Sequence, residues 1–294
     1  MADAVSPGAL KILHHIGHQD PADIDLTRGA LGLAQWADPS LRLTPYQRHL
    51  ENLVADVRAY VGDDPHDGPL VIEATRQIIA RRYGYGGAIA PEPRLNSANI
   101  AHAIDRRSGG ALVLAVLYHH VFNALDRSPE IIAFAPRTLL GMTVGGRRVL
   151  VDPLDGGRTL GVRDLRRLLK ADGHTTPALG PALGPALGPG HLKTLNPRQV
   201  LLALVQQTKT GQLLSAAPHK ALLTLQAALL IAPDEACLWH ELGLLLAHLG
   251  DVQGAITALE HFLQLPHHHA HRYTTSQTLQ SLRRRLNDPP NDPA

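Results

Sequence analysis

The chain has 294 residues, 44% hydrophobic and 18% charged, enough for a sizeable core and for two packed units. With 28 basic against 26 acidic residues the formal net charge is +2, which excludes a broad electrostatic attraction to phosphate backbones or anionic lipid. A single cysteine, Cys237, excludes an internal disulfide and any cysteine-cluster zinc site.

The N-terminus carries no basic head followed by an apolar run, so it does not read as a secretory signal. The longest apolar stretch, residues 111–118, ends at His119-His120 and is too short to span a bilayer. Arginine pairs at Arg81-Arg82, Arg106-Arg107, Arg147-Arg148 and Arg166-Arg167, and the triplet Arg283-Arg284-Arg285, are scattered and interleaved with acids. They read as solvated faces. The expectation is a soluble, cytoplasmic protein that binds neither nucleic acid nor membrane.

Residues 22–61 read as helices: Leu26, Ala30, Leu33 and Trp36 recur at helical spacing, as do Leu50, Leu53, Val57 and Tyr60, with a break at Asp38-Pro39. A further helix covers about residues 70–82, before the glycine-rich turn Tyr83-Gly84-Tyr85-Gly86-Gly87. Asn96-Ser97 opens a helix carrying Ile100, Ala103 and Ile104, with Ser97 as its cap. It ends near Gly109-Gly110, with Ser108 in a turn. From Ala111 to about Leu125 the pattern is apolar almost all round, which predicts the buried central helix of a domain.

The clearest strand signal lies in residues 139–154, where Gly145-Gly146 separates two alternating runs. Diglycine suits a two-residue hairpin, because both central residues need positive φ. Such a loop pairs Leu140 with Val151 and Met142 with Val149, and it sets Thr138 and Asp152 on opposite faces unless a bulge intervenes. After Asp152-Pro153 the chain turns through Asp155-Gly156-Gly157 and re-enters a helix at residues 162–169. Pro177-Ala178-Leu179-Gly180 then recurs at 181–184 and 185–188, a composition that holds neither helix nor sheet and reads as a linker.

Beyond the linker the chain is helical to about Leu286 and repeats. Trp239-His240-Glu241-Leu242-Gly243 matches the W-x2-L-G opening of a tetratricopeptide unit, Gly250-Asp251 marks its turn, and Ala255 is the small residue where its helices cross. Ala221 lies 34 residues before Ala255, and Pro233 lies 33 before Pro266, the period of such a repeat. Two units and a trailing helix form a short array that needs another domain to cap it.

Four stations recur in order along the chain. They are the Ala30-Leu31, Asp38-Pro39, Tyr46 and Leu50 segment; Tyr83-Gly84-x-Gly86 with Pro93-Arg94 and Asn96-Ser97; Arg106-Arg107-Ser108-Gly109 running into residues 112–118; and Val151-Asp152-Pro153-Leu154-Asp155-Gly156-Gly157. With the repeats behind them, they resemble the SirB-one family of bacterial proteins. Two departures stand out: the span from Asn96 to Gly109 is one residue longer than in the family, and Gly110-Ala111 replaces its Ile-Pro pair.

The resemblance implies an α+β, mostly helical fold: a transglutaminase-like (papain-like) core with a small antiparallel sheet, then an α-helical tetratricopeptide segment. It divides the chain into an N-terminal helical region (1–64), the core (65–172), a linker (173–195), the repeats (196–288) and a disordered tail (289–294). In active relatives of this core a cysteine at the start of the buried helix attacks an acyl carbon. A histidine moves the proton, and an aspartate fixes the histidine's tautomer. The cysteine position falls near Val113 and the histidine position, after Pro136-Arg137, falls on Thr138; only Asp152 remains. No histidine occurs between His120 and His174, and no cysteine precedes Cys237. The expectation is loss of the thiol chemistry, with Asp152 accepting turn amides.

Other groups read more plainly. His14, His15 and His18, and the cluster His267, His268, His269 and His271, lack a carboxylate at metal-ligand spacing and read as surface or loop. His119-His120 read as core histidines, Tyr83 to Gly87 as a turn rather than a phosphate cradle, and Cys237 as a packed thiol. No cofactor or metal is expected. The functional expectation is a non-catalytic adaptor or regulator that holds a protein or peptide partner on its repeats, with Trp239, Leu242 and Leu246 as contact residues. The competing expectation is a hydrolase or acyl-transfer enzyme using a non-cysteine group in the inherited cleft.

Overall fold

The computed structural model describes residues 6–64, 67–87, 97–134, 137–171, 192–266 and 271–287. Pro93-Arg94, Asn96, Pro136, the Pro/Ala/Leu/Gly repeat, His174, His267 to His269 and the 289–294 tail lie outside the described residues.

The first helix precedes the residues 22–61 that read as helices and lies within the expected N-terminal helical region. α1 (Pro7–Gly17) starts with proline in its first turn and buries Ala9, Leu13 and Ile16. α2 (Leu26–Ala37) is capped by Asp25, whose side chain accepts from the Arg28 amide. Leu26 and Ala30 are buried as expected, whereas Trp36 lies at the edge and donates its indole N–H to the Leu223 carbonyl at 2.8 Å. α3 (Leu43–Val61) buries Leu50, Leu53, Val54, Val57 and Val61. Tyr60 falls off that face and is 49% exposed. α4 (Gly68–Thr75) continues as a π-helical segment over Arg76–Arg82, so the predicted 70–82 helix is present but changes its winding halfway.

Two short strands, β1 (Gly86–Gly87) and β2 (Ser108–Gly109), pair in parallel on either side of α5 (Ile100–Arg106). Ser108 is therefore in a strand, not a turn. The cap of α5 is Asn99, whose side chain accepts from the His102 amide, not Ser97. α6 (Ala111–Ala124) is the central helix: every residue from 112 to 118 is buried, with Val121 and Phe122.

The main sheet is antiparallel, in the order β6-β5-β4-β3-β7, from β3 (Glu130–Phe134), β4 (Arg137–Val144), β5 (Arg147–Asp152), β6 (Arg158–Leu160) and β7 (Lys193–Leu195). The register is the one the diglycine turn dictates: Leu140 pairs with Val151 and Met142 with Val149, with Gly145 at φ 54 and Gly146 at φ 75. Ile131, Leu140, Met142 and Val151 join the core around α6. Ile132, Phe134, Leu139 and Leu150 pack with Leu165 and Leu169 of α7 (Val162–Ala171). The sheet thus lies between α6 and α7, with both faces covered. β7 corrects the predicted linker, which gives way to an edge strand by residue 193.

The repeat segment contains α8 (Pro197–Leu214), α9 (Pro218–Ile231), α10 (Ala236–His248), α11 (Val252–Gln264) and α12 (Arg272–Asn287). α8 and α9 form one pair, α10 and α11 a second, and α12 trails. Ala221 and Ala255, the residues one period apart, are both fully buried in the second helix of their pairs. Asp251 caps α11 by accepting from the Gly254 amide. The first pair packs on α1 and α2, which cap the array at that end. Arg198 fastens this junction by donating to the carbonyls of Gly17 at 3.2 Å, Gln19 at 2.6 Å and Ile231. No helix among the described residues is long and apolar enough to cross a membrane.

Candidate functional site

Val113 sits in the first turn of α6 with no exposed surface, directly beneath Gly109. Thr138 lies on β4 opposite Ala133 and is 9% exposed. Asp152 ends β5 at 1% exposure. Its Oδ1 accepts from the amides of Leu154 at 3.0 Å and Asp155 at 3.4 Å, capping the 3-10 turn Pro153–Asp155, the role its place before proline suggests. Its Oδ2 takes a 2.5 Å bond from Arg137 Nη1, an ion pair the sequence did not disclose.

The regular register accounts for that pairing. With Leu140 opposite Val151, alternation puts Asp152 on the same face as Arg137 and the face opposite Thr138. Burial pushes the Asp152 carboxyl above its ordinary value, against the pull of Arg137 and the two amides. Nearby, Tyr118 is buried with a hydroxyl that has no hydrogen-bond partner among the described residues. Burial first, and then the charge of Asp152, push its pKa up. Asp152 thus has both oxygens engaged, Thr138 lies on the other face of the sheet, and position 113 carries an alkyl group.

A second constellation escaped the sequence because its members are far apart in the chain. Arg107 ends α5 in a left-handed conformation, φ 55, a costly backbone state for a non-glycine residue. Its Nη1 donates to His49 Nε2 at 2.6 Å and to the Tyr85 hydroxyl at 2.7 Å. Its guanidinium lies 5.1 Å from the Tyr85 ring centre and 5.6 Å from that of Tyr83. Arginine only donates, so His49 Nε2 must accept, which places the imidazole proton on Nδ1 and keeps the ring neutral. Burial, and then the charge of Arg107, lower the His49 pKa to about 4, and burial pushes Tyr85 up to about 12. Beside this cluster opens a cavity of about 510 Å³, whose walls include Asp38, Arg42, Tyr46, His49, Asp105 and Arg107.

The neutral state of His49 has a pH consequence. The folded pKa of about 4 lies below the ordinary 6.5, so across that window the unfolded chain holds a proton the folded protein lacks. Stability contributed by neutral His49 is complete above 6.5 and is lost as pH falls toward 4. Urea denaturation between these limits is expected to show stability falling by up to about 1.4 kcal/mol per pH unit for each such proton. His49→Gln should flatten that slope; an unchanged slope would show that His49 does not titrate this way.

The remaining expectations divide. His119 and His120 on α6 are half-buried, and burial lowers the pKa of both, that of His119 to about 4. Cys237 is exposed rather than packed, since its helix turns Ala236, Leu242 and Gly243 inward instead. His14 and His18 lie with ring centres 4.4 Å apart, and His18 Nδ1 contacts the His14 carbonyl. No group of three or more metal-ligating side chains is assembled among the described residues. Of the expected contact residues, Leu242 is buried at 8% exposure. Leu246 is half-buried, and so is Trp239, which donates to the Pro233 carbonyl at 2.7 Å and packs on His261. A mostly apolar cavity of about 320 Å³ lies where α2 meets α8 and α9, lined by Trp36, Leu204, Val205, Leu223 and Ala227 among others.

Two family profiles agree with this architecture. The sequence profile of the transglutaminase-like superfamily matches residues 44–206, from α3 into α8, and that of the tetratricopeptide repeat matches 215–287. UPF0162 proteins from Xylella fastidiosa strains Temecula1 / ATCC 700964 and 9a5c are each 22% identical to the chain over 259 residues, covering 87% of it and 89% of their own length. Among solved structures, menin, reported with its binding site for the Mixed Lineage Leukemia protein, aligns at a TM-score of 0.39 and 8% identity. That alignment covers 97% of this chain and 76% of menin. The superfamily match spans more than half of the chain and contains the sheet, the central helix and the Asp152 corner: the chain belongs to the transglutaminase-like superfamily, with a tetratricopeptide segment following its core.

Proposed function

We propose that this protein is a non-catalytic transglutaminase-like and tetratricopeptide adaptor or regulator that acts in the cytoplasm by holding a protein or peptide partner. The observation that carries this reading is Val113: the residue at the expected nucleophile position is an alkyl side chain with no exposed surface. The engagement of Asp152 with Arg137 and two turn amides supports it further. The partner surface is assigned to the repeats, since stacked helix pairs present an extended face for a peptide or helix. With Leu242 in the core, partly exposed Trp239 and Leu246 are the remaining contact candidates on α10.

Crosslinking mass spectrometry in cells at native protein levels is expected to return one reproducible partner attached within residues 200–286. A chain that stays alone overturns the adaptor reading. The competing reading, an enzyme with a non-cysteine group, draws on His49, a neutral imidazole beside an open cavity. Hydrolase or acyl-transfer turnover by the purified protein, lost at unchanged stability on His49→Gln or Asp152→Asn, would establish that reading instead.

A further inference from the structure

We propose that the cavity between the start of α3 and the α5–β2 corner binds a small oxyanion, a carboxylate or phosphate group, held by Arg42 and Arg107. Both arginines line the cavity. Among the described residues Arg107 spends only Nη1, on His49 and Tyr85, leaving Nε and Nη2 as donors with no bond there. Arg42 makes no hydrogen bond or ion pair with its side chain among the described residues. An oxyanion presents several lone pairs to such donors, and guanidinium geometry suits it.

Two acids also line the cavity, but each already accepts a bond. Asp38 Oδ1 receives the Ser40 amide at 3.0 Å and the Ser40 hydroxyl at 2.6 Å, and Asp105 Oδ2 receives the Tyr46 hydroxyl at 3.0 Å. A carboxylate has two oxygens, so Asp38 and Asp105 keep acceptor capacity and their charge, and the oxyanion is assigned to the guanidinium donors of Arg42 and Arg107 rather than to the wall as a whole. Arg107 is also held in advance: its left-handed backbone, the two tyrosine rings and the bonds to His49 and Tyr85 fix its plane before any ligand arrives. Little side-chain freedom is left to lose on binding. A backbone strained at one polar side chain beside a cavity is the pattern expected of a binding residue.

The contrast is a cavity at Lys11, His14, His15 and His18. There no arginine is present and no backbone strain positions a donor. The proposed site lies outside the repeats and stands whether or not they carry a partner.

The test is titration of the full chain with inorganic phosphate and, separately, with acetate, followed calorimetrically and by NMR of the His49 ring. Saturable binding of at least one probe is expected, weakened 10-fold or more by Arg42→Gln and by Arg107→Lys and unchanged by Lys11→Gln. Arg42 is exposed, so its variant keeps the test sound even if Arg107→Lys loosens the fold. An anion at this site offsets the charge of Arg107, so the His49 pKa should rise from about 4 as the probe saturates. Phosphate binding without acetate binding assigns the phosphate class, and the reverse assigns the carboxylate class. No saturable binding of either probe overturns the proposal. So does binding that persists undiminished in Arg42→Gln, or saturation that leaves the His49 pKa where it was.

Discussion

Gly157→Ala is expected to lower the stability of the protein by about 3 kcal/mol, within the range set by a left-handed backbone cost of about 1–2 kcal/mol and an overpacking cost of about 1–3 kcal/mol. Gly157 lies at φ 79, where an L side chain is strained. A Cβ there would stand 2.7 Å from Cε1 of Tyr118 and 3.2 Å from its hydroxyl. Tyr118 cannot retreat, since it is 1% exposed on the central helix and packs beside Phe122. The Gly157 amide also donates to the Asp152 carbonyl at 2.8 Å, so any backbone shift that relieves the clash disturbs the corner where β5 turns into β6. Gly145→Ala supplies the comparison: its φ is 54, but a Cβ there meets nothing within 4 Å. It should cost about 1–2 kcal/mol, the backbone strain alone. In a scanning calorimeter Gly157→Ala should melt roughly 6–12 °C below the natural protein, the shift expected for that loss in a chain of this size class. A midpoint equal to that of Gly145→Ala would mean that Tyr118 does not press on this turn.

The parts of this fold that were legible in the sequence are those whose signal is local. Gly145-Gly146 alone gave the β4–β5 register, because a two-residue loop leaves no other pairing. Residues 111–124 announced a buried helix by being apolar on every side, and the 34-residue spacing of Ala221 and Ala255 located the helix pairs. β3 was missed because the sheet is covered on both faces: Ile131 serves one core and Ile132 the other, so no alternation is left to read. β7 was missed because its pairing is long-range, Ile131 with Leu195, across the low-complexity stretch. Ser97 and Asn99 are both good caps two positions apart, and only the start of α5 at Ile100 decides between them. Asp152 was found by its motif, but its ion-pair partner follows from sheet register. The His49, Tyr85 and Arg107 cluster joins α3, the turn before β1 and the end of α5, so no spacing rule could assemble it.

Removing the Asp152 carboxylate should be about as damaging as Gly157→Ala, for a different reason. Asp152→Ala deletes the acceptor of one guanidinium bond and two turn amides at once. Breaking a buried ion pair from one side costs about 3–5 kcal/mol because the remaining charge is left uncompensated. Arg137 is 27% exposed and recovers part of its hydration, so the lower end, about 3 kcal/mol, is expected. Arg137→Ala leaves the opposite orphan, a carboxylate at 1% exposure, and it can relax only by taking up a proton. The double variant should therefore cost clearly less than the two single losses added, by about 1 kcal/mol or more, since neither charge is then stranded. Strict additivity in urea denaturation would mean that the pair is not coupled. Asp152→Asn separates the two duties of the side chain: its amide oxygen can still cap the Pro153–Asp155 turn, while the charge facing Arg137 is gone. An intermediate stability loss, with partner capture by the repeats intact, is the outcome that a corner strut requires. Loss of a measurable turnover at unchanged stability would instead place Asp152 in chemistry.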